Sequence, residues 1–352
     1  MQNFSIEELR NILARRHYQI TSETHEIILG APAPADSDDG SSWKGIYETF
    51  PSCDGNDPKE NDPISEVSSK DIVDEIRTRQ KSIYGYDDRV EVLNCTIERR
   101  KTLARSVAAI IPRSRLFSPG GDEVDIGSAT LAQRYAAIGK PLCDREAFRD
   151  QPSSAIGSAF LVTPNIVATA HHCLNENNAT LHCLIFEFEL GRDGIAPTKY
   201  PVDQVYPVKR FLDGNIKTAG EDWALVELER PVDDRDPLVL REDGAPEEHT
   251  PLFVIGHPSG LPKKIAGNAE IRDNSIASHF VANLDTYGGN SGSPVFNAVT
   301  NQVEAILVRG AADFVPMGNC YSSLICPITG CRGEDCSRIS DVVKSLQLSA
   351  LA

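Results

Sequence analysis

Residues 285–296 read "DTYGGNSGSPVF": small and polar residues gather around Ser291 and lead into an apolar run from Pro294. Gly288, Gly289 and Gly292 contribute no side chain. They leave backbone N–H groups bare and allow another group to come close. A serine presented in this way is either a plain turn residue or a nucleophile beside donors for a developing oxyanion. The rest of the chain has to separate the two.

Outward from this loop the pattern is one of short apolar runs punctuated by turns. They include "SVAAIIP", "SAFLVTP", "NIVATA", "LIFEFEL", "WALVELE", "LFVIGHP", "HFVANL", "SPVF" and "VEAILV". Many short strands without strand–helix alternation predict an all-β sandwich or barrel. Two of the runs carry polar residues suited to activating a serine. "ATAHHC" sets His171 and His172 at the end of one, and "EDWALVEL" sets Asp222 at the start of another. A serine hydroxyl is a weak nucleophile at neutral pH and needs a base to take its proton. A histidine serves, and a buried carboxylate fixes its tautomer and orientation. The chain order His, Asp, Ser is one of the known orders for such a set.

These motifs resemble those of trypsin-like serine proteases. "TAHHC" is similar to the family's T-A-x-H-C motif, and "DWALVEL" to its D-x-A-L strand. "GGNSGSPVFN" resembles the serine loop of the V8-like, glutamyl-endopeptidase branch, and "IYGYDDRVEV" (83–92) the start of the mature chain there. The resemblance spans roughly residues 83–348. It implies two six-stranded antiparallel β-barrels of chymotrypsin type with a C-terminal helix, for which "SRISDVVKSLQL" (337–348) is the candidate. By the same resemblance His172 is the base, Asp222 its orienting carboxylate and Ser291 the nucleophile; Gly289 and Ser291 form the oxyanion hole. His171 is then a packing neighbour and His257 a turn residue. No cofactor or metal is required.

The pattern departs from the family in four places. Gly157 stands where a cysteine partner for Cys173 would fall; Cys183 is a substitute, and a free thiol the simpler expectation. Asn290 replaces the aspartate that pairs with a new amino terminus in trypsin-like zymogens, so that route to activation is closed. The specificity pocket gives two readings. Asp285 matches the carboxylate that selects Arg or Lys at P1. Thr286 matches the threonine of glutamate-specific relatives, but Leu307 replaces their histidine. Arg309, which follows on the pocket rim, would either favour an acidic residue or pair with Asp285. The expected P1 is therefore basic, with an acidic P1 as the alternative. Lastly, Cys320, Cys326, Cys331 and Cys336 are spaced too loosely for paired zinc knuckles; reduced thiols or local disulfides are expected instead.

The chain ahead of the resemblance divides into a small helical segment (1–30) and an acidic linker (31–67), followed by a helix or processing segment (68–82). In the first, Ser5 and Glu8 form a capping-box pattern. The linker is rich in Asp, Ser, Gly and Pro. Residues 1–30 are a candidate site for a protein partner. Arg77, Arg79 and Lys81 offer a place for self-cleavage that would make the chain a zymogen, or residues 1–82 stay attached. A net charge of −16 argues against a nucleic-acid partner, and no stretch is apolar enough to span a membrane. The opening residues lack the apolar core of a secretory signal, so the expected location is cytoplasmic and the nine cysteines mostly reduced. The function expected is a serine endopeptidase acting on proteins or peptides. The rival reading is an inactive protease fold serving as an adaptor or scaffold.

Overall fold

The computed structural model describes residue 12 and residues 83–84, 87–118, 121–217, 221–309, 313–326 and 331–350. The chain divides into two units, Met1–Gln80 and Lys81–Ala352. The readings of residues 1–82 as helices and linker, and of the basic residues at 77–81, lie outside the described residues.

In the second unit a short entry segment comes first, with strands β1 (Ile83–Tyr84) and β2 (Val90–Glu91). Helix α1 (Glu98–Ala104) follows and leads into β3 (Val107–Pro112). Between β3 and the next barrel strand lie β4 (Glu123–Asp125) and helix α2 (Leu131–Ala137). A reciprocal Thr130–Gln133 capping box starts α2. Next come β5 (Gly157–Thr163), β6 (Ile166–Thr169), β7 (His182–Ile185) and β8 (Lys199–Pro201), which pairs with β4. The long β9 (Tyr206–Ile216) and β10 (Asp222–Leu228) complete the first half. Strands β3, β5, β6, β10, β9 and β7 close on themselves as a six-stranded antiparallel barrel. Its strands are the apolar runs of the sequence, and Val107, Phe160, Val167, Leu184 and Leu225 fill its interior.

The second barrel uses β11 (Pro251–Gly256), β12 (Lys264–Asp273), β13 (His279–Ala282), β14 (Pro294–Asn297) and β15 (Val303–Arg309). A hairpin of β16 (Phe314–Met317) and β17 (Cys320–Ser323) then precedes β18 (Ile325–Cys326) and β19 (Glu334–Arg338). The ring runs β11, β14, β15, β19, β13, β12 and back to β11, antiparallel throughout, with β2 added along β12. Helix α3 (Ser340–Ala350) ends the described chain and buries Val342 and Val343. One apolar cluster joins the first barrel to Phe253, Ile255, Phe296 and Ile306 of the second and to Val342 of α3. The expected paired barrels and closing helix are therefore the architecture found.

The cysteines differ from the expectation of mostly reduced thiols. Cys143 bonds Cys320 and Cys326 bonds Cys331, while Cys95, Cys173 and Cys183 are buried thiols and Cys336 is buried with its sulfur toward the Glu334 carbonyl. The fold brings Cys143 and Cys320 together across 177 positions, their Cα atoms 4.9 Å apart. Spacing along the chain gives no sign of such a pair.

Candidate active site

Thr169 ends β6, and the chain turns at once: the Cys173 and Leu174 N–H groups donate to the Ala170 carbonyl, at 3.0 and 3.2 Å. That turn lifts His172 out of the barrel. Strand β10 runs antiparallel to β6 with Ala224 opposite Thr169, so its first residue, Asp222, arrives beside the turn. His172 Nδ1 lies 2.6 Å from Asp222 Oδ2, and the His172 backbone N–H donates to Asp222 Oδ1 at 3.2 Å. The carboxylate is 2% exposed, whereas the imidazole side chain is 39% exposed and keeps its outer edge toward solvent. The Asp222 N–H donates to Ser337 Oγ at 3.3 Å, which ties the pair to β19 of the other barrel.

The electrostatics of the two groups agree. Burial alone would raise the Asp222 carboxyl, but the His172 ring and backbone N–H, with Arg309 behind them, hold it below the ordinary value. Burial works against charge on His172, yet Cys173 and Asp222 beside it more than offset that, and its pKa lies above the ordinary histidine range.

Ser291 sits in the loop between β13 and β14, at the seam of the barrels. Its carbonyl accepts the Ser158 N–H of β5 at 2.9 Å, and the Gly292 N–H donates to the Leu307 carbonyl of β15 at 2.8 Å. The hydroxyl lies 3.5 Å from the Val308 carbonyl. Gly289 has φ +94°, and a Cβ there would stand 2.7 Å from the His257 carbonyl and 2.8 Å from Gly260 N. Only glycine fits that conformation and that approach. Its carbonyl accepts from Ser158 Oγ at 3.0 Å. Its N–H has no hydrogen-bond partner among the described residues. A half-buried amide left open in this way is suited to an incoming oxyanion.

The neighbours fall out as follows. His171 packs edge-on against Phe211, with Nε2 3.3 Å from Glu176. His257 is fully buried in the 256–260 turn, stacked on Phe188, with Nδ1 3.0 Å from the Leu261 carbonyl. Burial, with Lys263 nearby, holds its pKa well below ordinary. Cys173 and Cys183 are both free; a Cβ at Gly157 would stand 2.9 Å from Cys173 Sγ, so the thiol occupies the space beside that glycine. Of the four late cysteines, three are bridged, and Cys336 points its thiol at the Glu334 carbonyl.

The three residues read as a specificity pocket each have a different partner. Asp285 is 3% exposed and accepts the backbone N–H of Tyr84 at 2.6 Å and of Asp88 at 3.1 Å. Thr286 gives its hydroxyl to Glu334 Oε2 at 2.6 Å. Arg309 donates to the Lys217 carbonyl at 3.2 Å and bears on Asp222, so its pairing is not with Asp285. Sequence reasoning missed Ser158, Ser337 and Glu334. The first two are serines within strands, and Glu334 lies in the polar run "EDCSR", which carries no strand signal.

Residues 157–306 match the family model of the trypsin-like peptidase domain. Among curated proteins, the glutamyl endopeptidase of Bacillus licheniformis is 29% identical over 153 residues, 41% of this chain and 46% of that protein. The chain thus spans less than half the length of that relative. Similar solved structures include a Glu endopeptidase in complex with MPD, with TM-score 0.44, 13% identity and coverage of 77% of this chain and all of the other. The VesB protease of Vibrio cholerae scores 0.42 at 12% identity, covering 70% and 64%. Residues 157–306 thus match a trypsin-like peptidase domain, and together with the glutamyl-endopeptidase similarity and the paired barrels this supports a relationship to trypsin-like serine proteases of the V8 branch.

Proposed function

We propose that this protein is a serine endopeptidase that cleaves peptide bonds through an acyl-enzyme on Ser291. The observation that carries the reading is the buried Asp222 carboxylate 2.6 Å from His172 Nδ1. Asp222 holds the tautomer with the proton on Nδ1, which leaves Nε2 free to accept. His172 takes the Ser291 proton as Oγ bonds to the substrate carbonyl carbon. It then returns that proton to the leaving amine as the C–N bond breaks. Water attacks the ester by the same route in reverse. The N–H groups of Gly289 and Ser291 stabilise the oxyanion, each such donor contributing ~2.7–4 kcal/mol.

A basic P1 residue is the reading for specificity. Leu307 stands where a glutamate site has histidine, and Glu334, which takes the Thr286 hydroxyl, is acidic. The second reading, an acidic P1, is favoured by the similarity to a glutamyl endopeptidase. The two disulfides favour maturation in an oxidising compartment over the cytoplasm.

The test is labelling by a fluorophosphonate together with turnover of peptide esters carrying Lys, Gln or Glu at P1. Stoichiometric labelling of Ser291, absent in Ser291→Ala, is expected, with Lys esters fastest. A chain that resists the probe and cleaves none of the esters would instead be an adaptor with a protease fold. Fastest turnover of Glu esters would decide for the acidic reading.

A further inference from the structure

The entry segment 83–91 is pinned at both ends. Ile83 and Tyr84 pair with Ile325 and Cys326, and Val90 and Glu91 with Ile265 and Lys264. Between those ends it reaches the loop that leads to Ser291. Asp285 Oδ1 takes the Tyr84 N–H at 2.6 Å and Oδ2 the Asp88 N–H at 3.1 Å. Two residues further along the loop, the Tyr287 ring carries the Arg89 guanidinium 4.1 Å from its centroid. Arg89 is 4% exposed and is held by Asp87 at 2.8 and 2.7 Å. Between these anchors, Thr286 is bonded to Glu334. The Tyr287 carbonyl then takes the Asn290 N–H at 2.9 Å, one residue before the serine. Asn290 itself faces away from the segment: its Oδ1 lies 3.5 Å from Ser293 Oγ and would be 2.6 Å from a Cβ at Gly256.

We infer that Asp285 is a positioning residue that holds Tyr84 and the stretch Asp87–Arg89 against the 285–291 loop, so that the loop takes its working shape in a chain uncut ahead of Ile83. The inference rests on the proposed peptidase reading for its kinetic arms. The contacts come from backbone N–H groups within the chain, which exist whether or not a new amino terminus is made. Both carboxyl oxygens of Asp285 are occupied by the segment, which sets them apart from the P1 side chain. Removing the side chain takes this acceptor from the buried Tyr84 N–H and the half-buried Asp88 N–H and loosens the loop that carries the nucleophile.

The experiment compares the full chain with Asp285→Asn and Asp285→Ala. Burial, with Asp88 beside it, pushes the Asp285 carboxyl up to about 8, so asparagine removes the titrating proton while keeping the shape and one acceptor; alanine removes the clamp. Hydrogen exchange of residues 284–293 is read first, because it does not depend on catalysis. Expected is faster exchange there in Asp285→Ala, with loss of about tenfold or more in kcat for Lys, Gln and Glu esters alike. Asp285→Asn should stay within about threefold, with an unchanged ratio of Lys to Gln turnover. That ratio is independent of the fraction folded, so it remains decisive if the alanine variant unfolds. A charge-specific collapse of Lys turnover in both variants, with exchange unchanged, would make Asp285 the pocket base and overturn the inference. A third arm replaces Arg77, Arg79 and Lys81 by Gln and confirms the intact mass. Labelling at the wild-type rate is expected, and labelling only after a cut ahead of Ile83 would overturn the uncut-chain claim. If wild-type chain resists the fluorophosphonate, the peptidase reading fails and the exchange data alone judge the clamp.

Discussion

At the scale of single residues, the pairing of Asp222 with His172 has the sharpest consequence. Asp222→Asn keeps the volume but places an amide donor against Nδ1, favouring the wrong tautomer. The expected loss in kcat is on the order of 10⁴, with little change in stability. The pH profile supplies a second readout. A base must be neutral, so kcat/KM rises with pH through the His172 pKa, and Asp222 raises that pKa. In Asp222→Asn the acid limb should therefore move to lower pH. Near-wild-type turnover, or a limb that stays in place, would show that another group orients the base. Both residues were legible in the sequence because each ends or begins an apolar run, and strand ends at a barrel seam are where polar side chains emerge. Asp285 was misleading for the opposite reason. Its distance from Ser291 along the chain matches a pocket base, but the partner occupying it comes from residues 84 and 88, about 200 positions away.

At the scale of elements, the polar strands decide how much is visible beforehand. Strand β19 reads "EDCSR" and yet is buried at Glu334, Asp335, Cys336 and Ser337. Glu334 finds Thr286, and Ser337 the Asp222 N–H, only in the assembled sheet, while Asp335 takes Arg332 from three residues away and faces His279 of β13 across the sheet. Strand β12 carries a comparable case. Lys264, 1% exposed at its side chain, binds Glu91 at 2.9 Å and Gln151 at 2.8 Å and thereby seats β2 on the barrel. Lys264→Ala leaves the buried Glu91 carboxylate with the Gln151 amide at 2.8 Å but no countercharge, and should cost about 3 kcal/mol. The double change Lys264→Met with Glu91→Leu should recover most of that loss. Urea unfolding measures both, and a single variant as costly as wild type is stable would not be needed to reject the idea: a loss under about 1 kcal/mol for Lys264→Ala suffices. The apolar runs at β3, β5, β10 and β14 needed no such help, since their burial follows from composition.

At the scale of the whole molecule, the Cys143–Cys320 bridge spans 177 positions and ties the loop after α2 to the β16–β17 hairpin. Closing so long a loop restricts the unfolded chain more than the Cys326–Cys331 bridge, which spans 5. Cys143→Ser with Cys320→Ser should lose about 2–5 kcal/mol, and Cys326→Ser with Cys331→Ser clearly less. Equal losses in calorimetry or urea unfolding would contradict the loop-length argument. The same contrast separates what one dimension settles from what three do. Alternation of short apolar runs and turns determined an all-β fold, and the three motifs determined which residues to look for at its seam. Those signals are local: burial of a strand face and the backbone freedom of glycine are properties of neighbours in sequence. The tertiary structure alone decided the disulfide between Cys143 and Cys320, the depth of β19 and the partner of Asp285. Each depends on which distant groups meet, because a buried charge or polar atom is tolerable only where a complementary group arrives from elsewhere in the chain.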